Sequence, residues 1–355
     1  MYGLHYESID SHRFLEAADL YLDTGEFLKH RRWYKGYILF LSLVKYLELP
    51  LIAISLLQAS LGFVALLCFY KLSSDILKDK AKGFTACLLF LGLLKTVFWH
   101  FYLMSESVFV SATIIAAYLL WKTREVPSLY IRVALQILIA SIPFFIRPNG
   151  LAFFIAFLLY LMIHTYQVSK RPVLRYLPFI LLFIFVFTLG DSLLSNFFLL
   201  DNYRSGSIIH GVRKGQSAVF DWVSVRPPTS FTVKEYSSNW LTLIGFIAMH
   251  PIYFVKLFFG KIGWLLLHFR PFWSLPHILF CVGTLYPLYV ASFFGIKTIN
   301  RAVKVFCLLY VGVYAALIGM TTTDWNGRFL FALYPVFCLL AASPIYMLLS
   351  RLLKR

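Results

Sequence analysis

The sequence predicts an all-α, polytopic membrane protein, and three observations lead to that fold class. Hydrophobic residues make up 60% of the 355 residues, only 14% are charged, and the mean hydropathy is +0.76. A soluble domain has about 45–50% apolar and about 25% charged residues, so this chain has too few charges to cover a water-facing surface. The apolar residues form long runs without the period-2 alternation of barrel strands, which makes helices the spanning elements.

Nine apolar runs are long enough, or nearly so, to cross about 30 Å of hydrocarbon. They cover residues 50–71, 84–99, 104–121, 129–146, 150–165, 176–199, 273–295, 303–320 and 329–349. The Arg147-Pro148-Asn149-Gly150 sequence separates two of them, because Pro and Gly break helices and a lipid-facing Arg is costly. The apolar stretch 36–47 predicts a short juxtamembrane helix, and 241–269, interrupted by His250-Pro251, predicts helices lying in the outer interface.

The net charge of +17 indicates membrane orientation rather than a nucleic-acid partner. Five alternate connections carry fifteen Lys and Arg residues, whereas the short loops between them carry two. Basic residues concentrate in cytoplasmic loops, so the C-terminus is predicted to be cytoplasmic in a multi-pass inner-membrane protein. The connections with the fifteen basic residues are 71–82, 122–128, 165–175, 296–304 and 351–355.

The whole chain, 1–355, is predicted to be one integral membrane domain with four parts. These are a first extracytoplasmic loop and juxtamembrane helix (1–49), a six-helix region (50–199), an outer loop with interfacial helices (200–272), and three last helices with a tail (273–355). Residues 1–35 are polar and hold six of the sixteen acidic residues. A polar outer segment of this kind usually follows a transmembrane helix, so we expect a further helix ahead of Met1.

Acids and bases close to the bilayer are the informative residues of such a protein, since each is costly unless it has a role or a partner. On the predicted outer side these are Asp10, Lys35, His100, Glu106, Arg147, Asp324 and Arg328. Guanidinium and ammonium groups bind phosphate, and a carboxylate can take a proton from an attacking hydroxyl as a general base. The mixture suits transfer from an anionic donor held by a lipid tail.

Five short motifs resemble the GT-C superfamily of membrane glycosyltransferases. Ser8-Ile9-Asp10-Ser11-His12-Arg13-Phe14, followed by Ala17-Ala18 and Gly25, resembles the first outer loop of these enzymes. The later motifs follow in order: Tyr34-Lys35-Gly36-Tyr37, Ser105-Glu106-Ser107, Ile146-Arg147-Pro148-Asn149-Gly150, and Gly327-Arg328-Phe329 with Tyr334-Pro335. The resemblance is nearest to the bacterial branch akin to protein O-mannosyltransferases and the lipid A aminoarabinose transferase.

The resemblance implies an inverting transfer of a sugar from a polyprenyl-phosphate donor to a lipid, glycan or protein acceptor at the extracytoplasmic face. Asp10 takes the place of the catalytic base, and Glu106 that of a second acid, which helps to bind the acceptor or, in some members, a divalent cation. If a metal is bound, Asp10 and Glu106 are its candidate ligands. Lys35, Arg147 and Arg328 become candidates for the donor phosphate, with His100 a further substrate-binding candidate. The chain departs from the family in having Lys35-Gly36 where Pro-Pro is common.

Other interpretations of the same residues stay open. Asp10 could be an exposed helix N-cap, Glu106 could complement a helix dipole, and Arg147 and Arg328 could be snorkelling anchors. Asp324 is expected to cap its loop or to pair with Arg328. The alternative functions are a transporter or lipid flippase, for which Asp191 within a span would be the pointer, and an inactive homologue of the same fold.

Overall fold

The structure is a computed structural model that describes residues 6–168, 176–184, 199–228, 236 and 238–353. These residues are mostly helical, and their only extended pairings are three isolated bridges. The helices are α1 (Ile9–Thr24), α2 (Lys35–Tyr46), α3 (Leu51–Leu77), α4 (Lys80–Gly92), α5 (Lys95–Phe98), α6 (Ser105–Lys122), α7 (Leu129–Ile146), α8 (Leu151–Val168), α9 (176–184), α10 (Leu199–Ser205), α11 (Asn239–Met249), α12 (Pro251–Leu267), α13 (Leu275–Gly295), α14 (Arg301–Met320) and α15 (Tyr334–Leu352).

Five helical segments in the described part of the chain are long and apolar enough to cross a membrane, and the count rises to seven if two bent pairs are included. The five are Leu51–Leu77, Leu129–Ile146, Leu275–Gly295, Arg301–Met320 and Arg328–Leu352. Each coincides with a predicted span, so the prediction of a multi-pass helical membrane protein is confirmed. Predicted spans 104–121 and 150–165 correspond to α6 and α8, whereas most of 176–199, including Asp191, lies outside the described residues.

The two bent pairs are helices broken where the sequence interrupts the apolar pattern. The segment Lys80–Gly92 continues into Lys95–Phe101 with a bend of 69°, and this break lies within the predicted span 84–99. In the second pair, α11 and α12 meet at a bend of 107°, and the break falls at His250-Pro251 as predicted. Pro251 begins α12, a position that suits proline because the first turn of a helix does not need its missing backbone N–H.

The described residues divide into two compact units. The first contains residues 1–154, 284–308 and 331–355, and the second contains 155–283 and 309–330. In the first unit α3 packs against both α4 and α6, α15 packs on α4, and α1 packs on α2. A parallel bridge joins Tyr6 to Tyr102: the Tyr6 amide donates to the Phe101 carbonyl over 2.8 Å, and the Leu103 amide donates to the Tyr6 carbonyl over 3.2 Å.

The second unit has a core of its own, in which the chain that follows α10 takes part. Its buried residues are Tyr203, Ile208, Ile209, Val212, Val223, Leu243, Phe246, Tyr253 and Leu257. Two of these tyrosines are tied by a hydrogen bond, since the Tyr253 hydroxyl donates to the Tyr203 carbonyl over 2.7 Å. The described residues of the predicted outer loop 200–240 therefore include a packed segment, not merely a surface loop.

Candidate functional site

Glu106 and Arg147 form a buried ion pair in the first unit. Arg147 Nη1 lies 2.6 Å from Glu106 Oε1, with side-chain exposures of 5% and 4%, and it also donates to Ser105 Oγ over 3.1 Å. Glu106 lies in the first turn of α6, whereas Arg147 follows the last residue of α7 in an extended conformation. Pro148 explains that conformation, because a proline disfavours the helical region for the residue before it.

Tyr34 connects this pair with a second charged group. The Arg147 guanidinium carbon lies 6.0 Å from the centre of the Tyr34 ring, and that of Arg31 lies 5.8 Å from it. Arg31 also stacks on Phe14 at 4.6 Å from the ring centre, and its side chain is 12% exposed. Burial of a guanidinium between aromatic rings strengthens cation–π attraction, so Arg31 is held in place by its surroundings.

Asp10 faces Arg31 from the first turn of α1. Its Oδ1 lies 3.6 Å from Arg31 Nη2 and 3.4 Å from Arg13 Nη1, and its side chain is 32% exposed. The N-cap of α1 is Ser8, whose side chain accepts from the Ser11 amide, so Asp10 is not the capping residue. Its carboxylate remains reachable from water while lying against two cations.

The structure therefore brings together three of the sequence-predicted site residues, Asp10, Glu106 and Arg147, around Tyr34. Arg31 completes the arrangement, and sequence reasoning did not single it out. The signal that could have found it is the run Lys29-His30-Arg31-Arg32 immediately before Trp33-Tyr34, where an aromatic pair follows three cationic side chains and a histidine. We call Asp10, Arg31, Tyr34, Glu106 and Arg147 the Tyr34 cluster.

The charge of Glu106 also affects Tyr37, a buried residue of α2. It is fully buried in α2, and its hydroxyl donates to Gln58 Oε1 over 3.2 Å. Burial raises the pKa of Tyr37 well above its ordinary value, and the negative charge of Glu106 raises that pKa further. The Tyr37 hydroxyl therefore keeps its proton and acts as a hydrogen-bond donor at all physiological pH values.

The other two predicted residues of the first unit lie elsewhere. Lys35 is exposed, and its ammonium group sits 5.2 Å from the centre of the Phe27 ring. His100 turns inward, with Nδ1 2.7 Å from the Thr96 carbonyl, and it lines a small internal cavity next to Glu106. Neither side chain is among those gathered around Tyr34.

In the second unit, Arg328 begins a 3-10 helix that Asp324 caps. The Asp324 carboxylate accepts from the amides of Arg328 and Phe329 over 2.7 and 3.2 Å, and Arg328 Nε lies 3.9 Å from it. Asp324 thus both caps the loop and pairs with Arg328, as predicted. The buried Arg270, which sequence reasoning missed, donates from Nε and Nη2 to the Asp324 carbonyl over 3.2 and 2.8 Å.

Acidic residues of the cluster meet cations rather than one another. Among the described residues, no group of three or more His, Cys, Asp or Glu side chains is placed to hold a metal ion. Asp10 and Glu106, the two predicted ligands of a divalent cation, have Arg31 and Arg147 as their respective neighbours. A metal at either carboxylate would have to compete with a guanidinium.

No protein-family model, curated protein or solved structure matches this chain. The Tyr34 cluster places an accessible carboxylate against a partly buried guanidinium, with an aromatic ring and a second guanidinium behind it. Such a group can bind an anion and accept a proton at adjacent positions.

Proposed function

We propose that the protein is a membrane glycosyltransferase that moves a sugar from a polyprenyl-phosphate donor to an extracytoplasmic acceptor. One observation carries the proposal: the Asp10 carboxylate and the Arg31 guanidinium lie 3.6 Å apart at the accessible edge of the Tyr34 cluster. A base and an anion-binding group at that spacing are what transfer from a sugar phosphate requires. The motif resemblance to GT-C enzymes supports the same activity.

In the proposed reaction the acceptor hydroxyl attacks the anomeric carbon while Asp10 takes its proton. The bond between that carbon and the phosphate oxygen breaks, and its electron pair leaves with the polyprenyl phosphate. Arg31 and Arg147 supply positive charge near the leaving phosphate, where preorganised donors lower the barrier. Lys35, His100 and Arg328 remain proposed donor-binding residues, and a divalent cation remains a proposed cofactor.

The proposed topology has nine crossings in the inner membrane, with the C-terminus in the cytoplasm and the Tyr34 cluster on the outer side. The uneven distribution of Lys and Arg between alternate connections supports it. A site at the outer boundary suits a donor whose phosphate lies at the headgroup level while its chain stays in hydrocarbon. Membrane lipids and the acceptor are then the other proposed partners.

The test is discharge of sugar from radiolabelled polyprenyl-phosphate hexoses in membranes that contain the protein. Asp10→Asn should abolish discharge because the amide cannot accept the proton. Asp23→Asn is the matched control: Asp23 is an exposed acid on the same helix, and its replacement should leave discharge unchanged. Discharge that survives in Asp10→Asn, with both variants inserted equally, would exclude Asp10 as the base.

A transporter or lipid flippase is the second candidate, and the two bent helix pairs favour it. Helices broken by 69° and 107° within apolar segments resemble the discontinuous helices that line transporter binding sites. Reconstitution in vesicles separates the two functions. Movement of a labelled lipid-linked sugar across the bilayer without discharge supports the flippase, whereas discharge without movement supports the transferase; neither result with any donor supports the inactive homologue.

A further inference from the structure

The cavity beside Glu106 has polar walls although it lies inside a membrane protein. Its polar lining residues are Thr96, His100, Glu106, Ser107 and Ser111, and its volume is about 20 Å³. Glu106 and Ser107 are each only 3% exposed, which places the polar walls well away from bulk solvent. A single water molecule needs about 10–15 Å³ of such space, so the cavity has room for one.

The hydrogen-bonding roles of two cavity groups follow from their surroundings. Thr96 O can only accept, so the 2.7 Å contact requires the hydrogen of the neutral His100 ring on Nδ1. The lone pair of Nε2 is therefore an acceptor. The Nε2 atom and the Ser107 hydroxyl are both buried and have no hydrogen-bond partner among the described residues. Buried polar groups in folded proteins are almost always paired, with ordered water if not with protein.

We propose that this cavity is a binding site for one structural water molecule, held by His100, Ser107 and Glu106. The water donates one hydrogen to His100 Nε2 and the other to the Glu106 carboxylate, and it accepts the hydrogen of the Ser107 hydroxyl. This molecule matches the donors and acceptors of the walls, because two acceptors and one donor converge on it. A cation fits less well, because Arg147 already neutralises Glu106.

The site gives His100 a structural role besides the donor-binding role proposed above. Its ring packs closely against Gly62, where an added Cβ would lie only 2.2 Å from Nε2, so only a glycine fits beside the ring. The water then ties the segment Trp99–Phe101 to the first turn of α6 and holds Glu106 on the side away from Arg147. His100 is thus a positioning residue for the Glu106–Arg147 pair.

Two measurements on the full-length protein test the site. The first is an experimental structure at a resolution that shows ordered water, in which we expect density within hydrogen-bonding distance of His100 Nε2 and Ser107 Oγ. The second is side-chain labelling by X-ray radiolysis, in which bound water generates radicals locally. Phe90, which lines the cavity and is 6% exposed, should be labelled several-fold faster than Phe153, which is 1% exposed and lies outside it.

Ser107→Val removes the hydroxyl and fills space, so labelling of Phe90 should fall to the rate of Phe153. Ser60→Ala, a change at an exposed serine of α3, is the matched control and should leave the ratio unchanged. A direct hydrogen bond between His100 and Ser107 in the structure would overturn the proposal, as would equal labelling of Phe90 and Phe153 in the wild-type protein. Both readouts use wild-type protein, so a variant that fails to fold does not decide the question.

Discussion

Arg147 Nη1 lies 2.6 Å from Glu106 Oε1, and both side chains are almost completely buried. The two residues come from segments 41 positions apart in the chain, and each is the charged member of a short motif. Burial of two charges is costly, and their mutual attraction repays that cost only with good geometry and further hydrogen bonds. The bond from Arg147 to Ser105 Oγ supplies one of these.

Removal of the Glu106 carboxylate should therefore destabilise the protein. We expect Glu106→Gln to lower the free energy of unfolding by about 3–5 kcal/mol, because Arg147 would stay charged and buried without its partner. The measurement is denaturant unfolding in detergent micelles. Glu125→Gln is the control, since Glu125 is 73% exposed and its pair with Lys122 should contribute about 0–1 kcal/mol.

A double replacement tests whether the instability of Glu106→Gln comes from leaving Arg147 without a partner or from a need for charged residues at both positions. Glu106→Leu combined with Arg147→Met should recover most of the stability lost in Glu106→Gln, because buried ion pairs are often replaceable by apolar side chains of similar volume. A double variant that is as unstable as the single one would contradict this explanation.

Arg31 and Arg13 offer a matched comparison, because both contact the same oxygen of Asp10. Arg31 is 12% exposed and Arg13 is 57% exposed. We expect Arg31→Gln to reduce kcat/KM for sugar discharge by about 10–100-fold, in line with the loss of a charge-assisted hydrogen bond to the donor phosphate, worth about 1.5–3 kcal/mol. Arg13→Gln should change it less than about threefold, as screened surface pairs contribute little. Equal effects of the two replacements would exclude a special role for Arg31.

Asp324 should stabilise the second unit through its cap. Replacement by Ala leaves the amides of Arg328 and Phe329 without their acceptor, and loss of an N-cap costs about 0.5–2 kcal/mol. Asp324→Asn keeps one acceptor oxygen and should cost less. Thermal unfolding in detergent measures both, with the exposed neighbour replacement Asn326→Ala as the control. A larger effect of Asn326→Ala would show that the loop, not the cap, sets the stability.

Two glycines predict opposite effects of the same substitution. A Cβ at Gly150 would lie 2.2 Å from the Pro143 carbonyl carbon, whereas one at Gly263 of α12 meets nothing within 4 Å. Gly150→Ala should destabilise the protein by about 1–3 kcal/mol, the range for overpacking, because a backbone atom cannot move aside cheaply. Gly263→Ala should be neutral or stabilising by up to about 1 kcal/mol. Equal melting temperatures of the two variants would contradict the close approach at Gly150.

Reporter fusions test the proposed orientation. A fluorescent protein that folds only in the cytoplasm should be bright after residue 353 and within 122–128, and dark within 321–328. The last of these segments has one basic residue, whereas 122–128 has two and the 351–355 tail has three. Brightness within 321–328 would reverse the proposed orientation, and the Tyr34 cluster would then face the cytoplasm.

Hydropathy and helix breakers were sufficient to predict most helices. The span 129–146 coincides with α7, and the break at His250-Pro251 falls between α11 and α12, because apolar length and proline act locally. The ion-pair partners could not be read from the sequence. Arg31 reaches Asp10 only because a 3-10 segment folds back beside α1, and that approach depends on tertiary packing at Phe14.

His100 shows the same limit of local reasoning. His100 lies at the end of a predicted span and was a candidate for substrate binding or for interfacial structure; the 69° bend after Gly92 turns it toward Glu106 and the cavity, which the span alone does not indicate. The close contact with Gly62 holds it there, and no periodicity in the sequence encodes a contact between residues so far apart. Asp324, by contrast, was predicted correctly because a cap involves only neighbours in the chain.

The bridge between Tyr6 and Tyr102 has a mechanical consequence. It fastens the start of α1 to the chain just beyond the broken helix, through two backbone hydrogen bonds and a ring stack with centres 5.1 Å apart. Gln58 holds the same segment by donating hydrogen bonds to the carbonyls of His100 and Tyr102. Any event that straightens or sharpens the bend after Gly92 would therefore also move the start of α1 and displace Asp10.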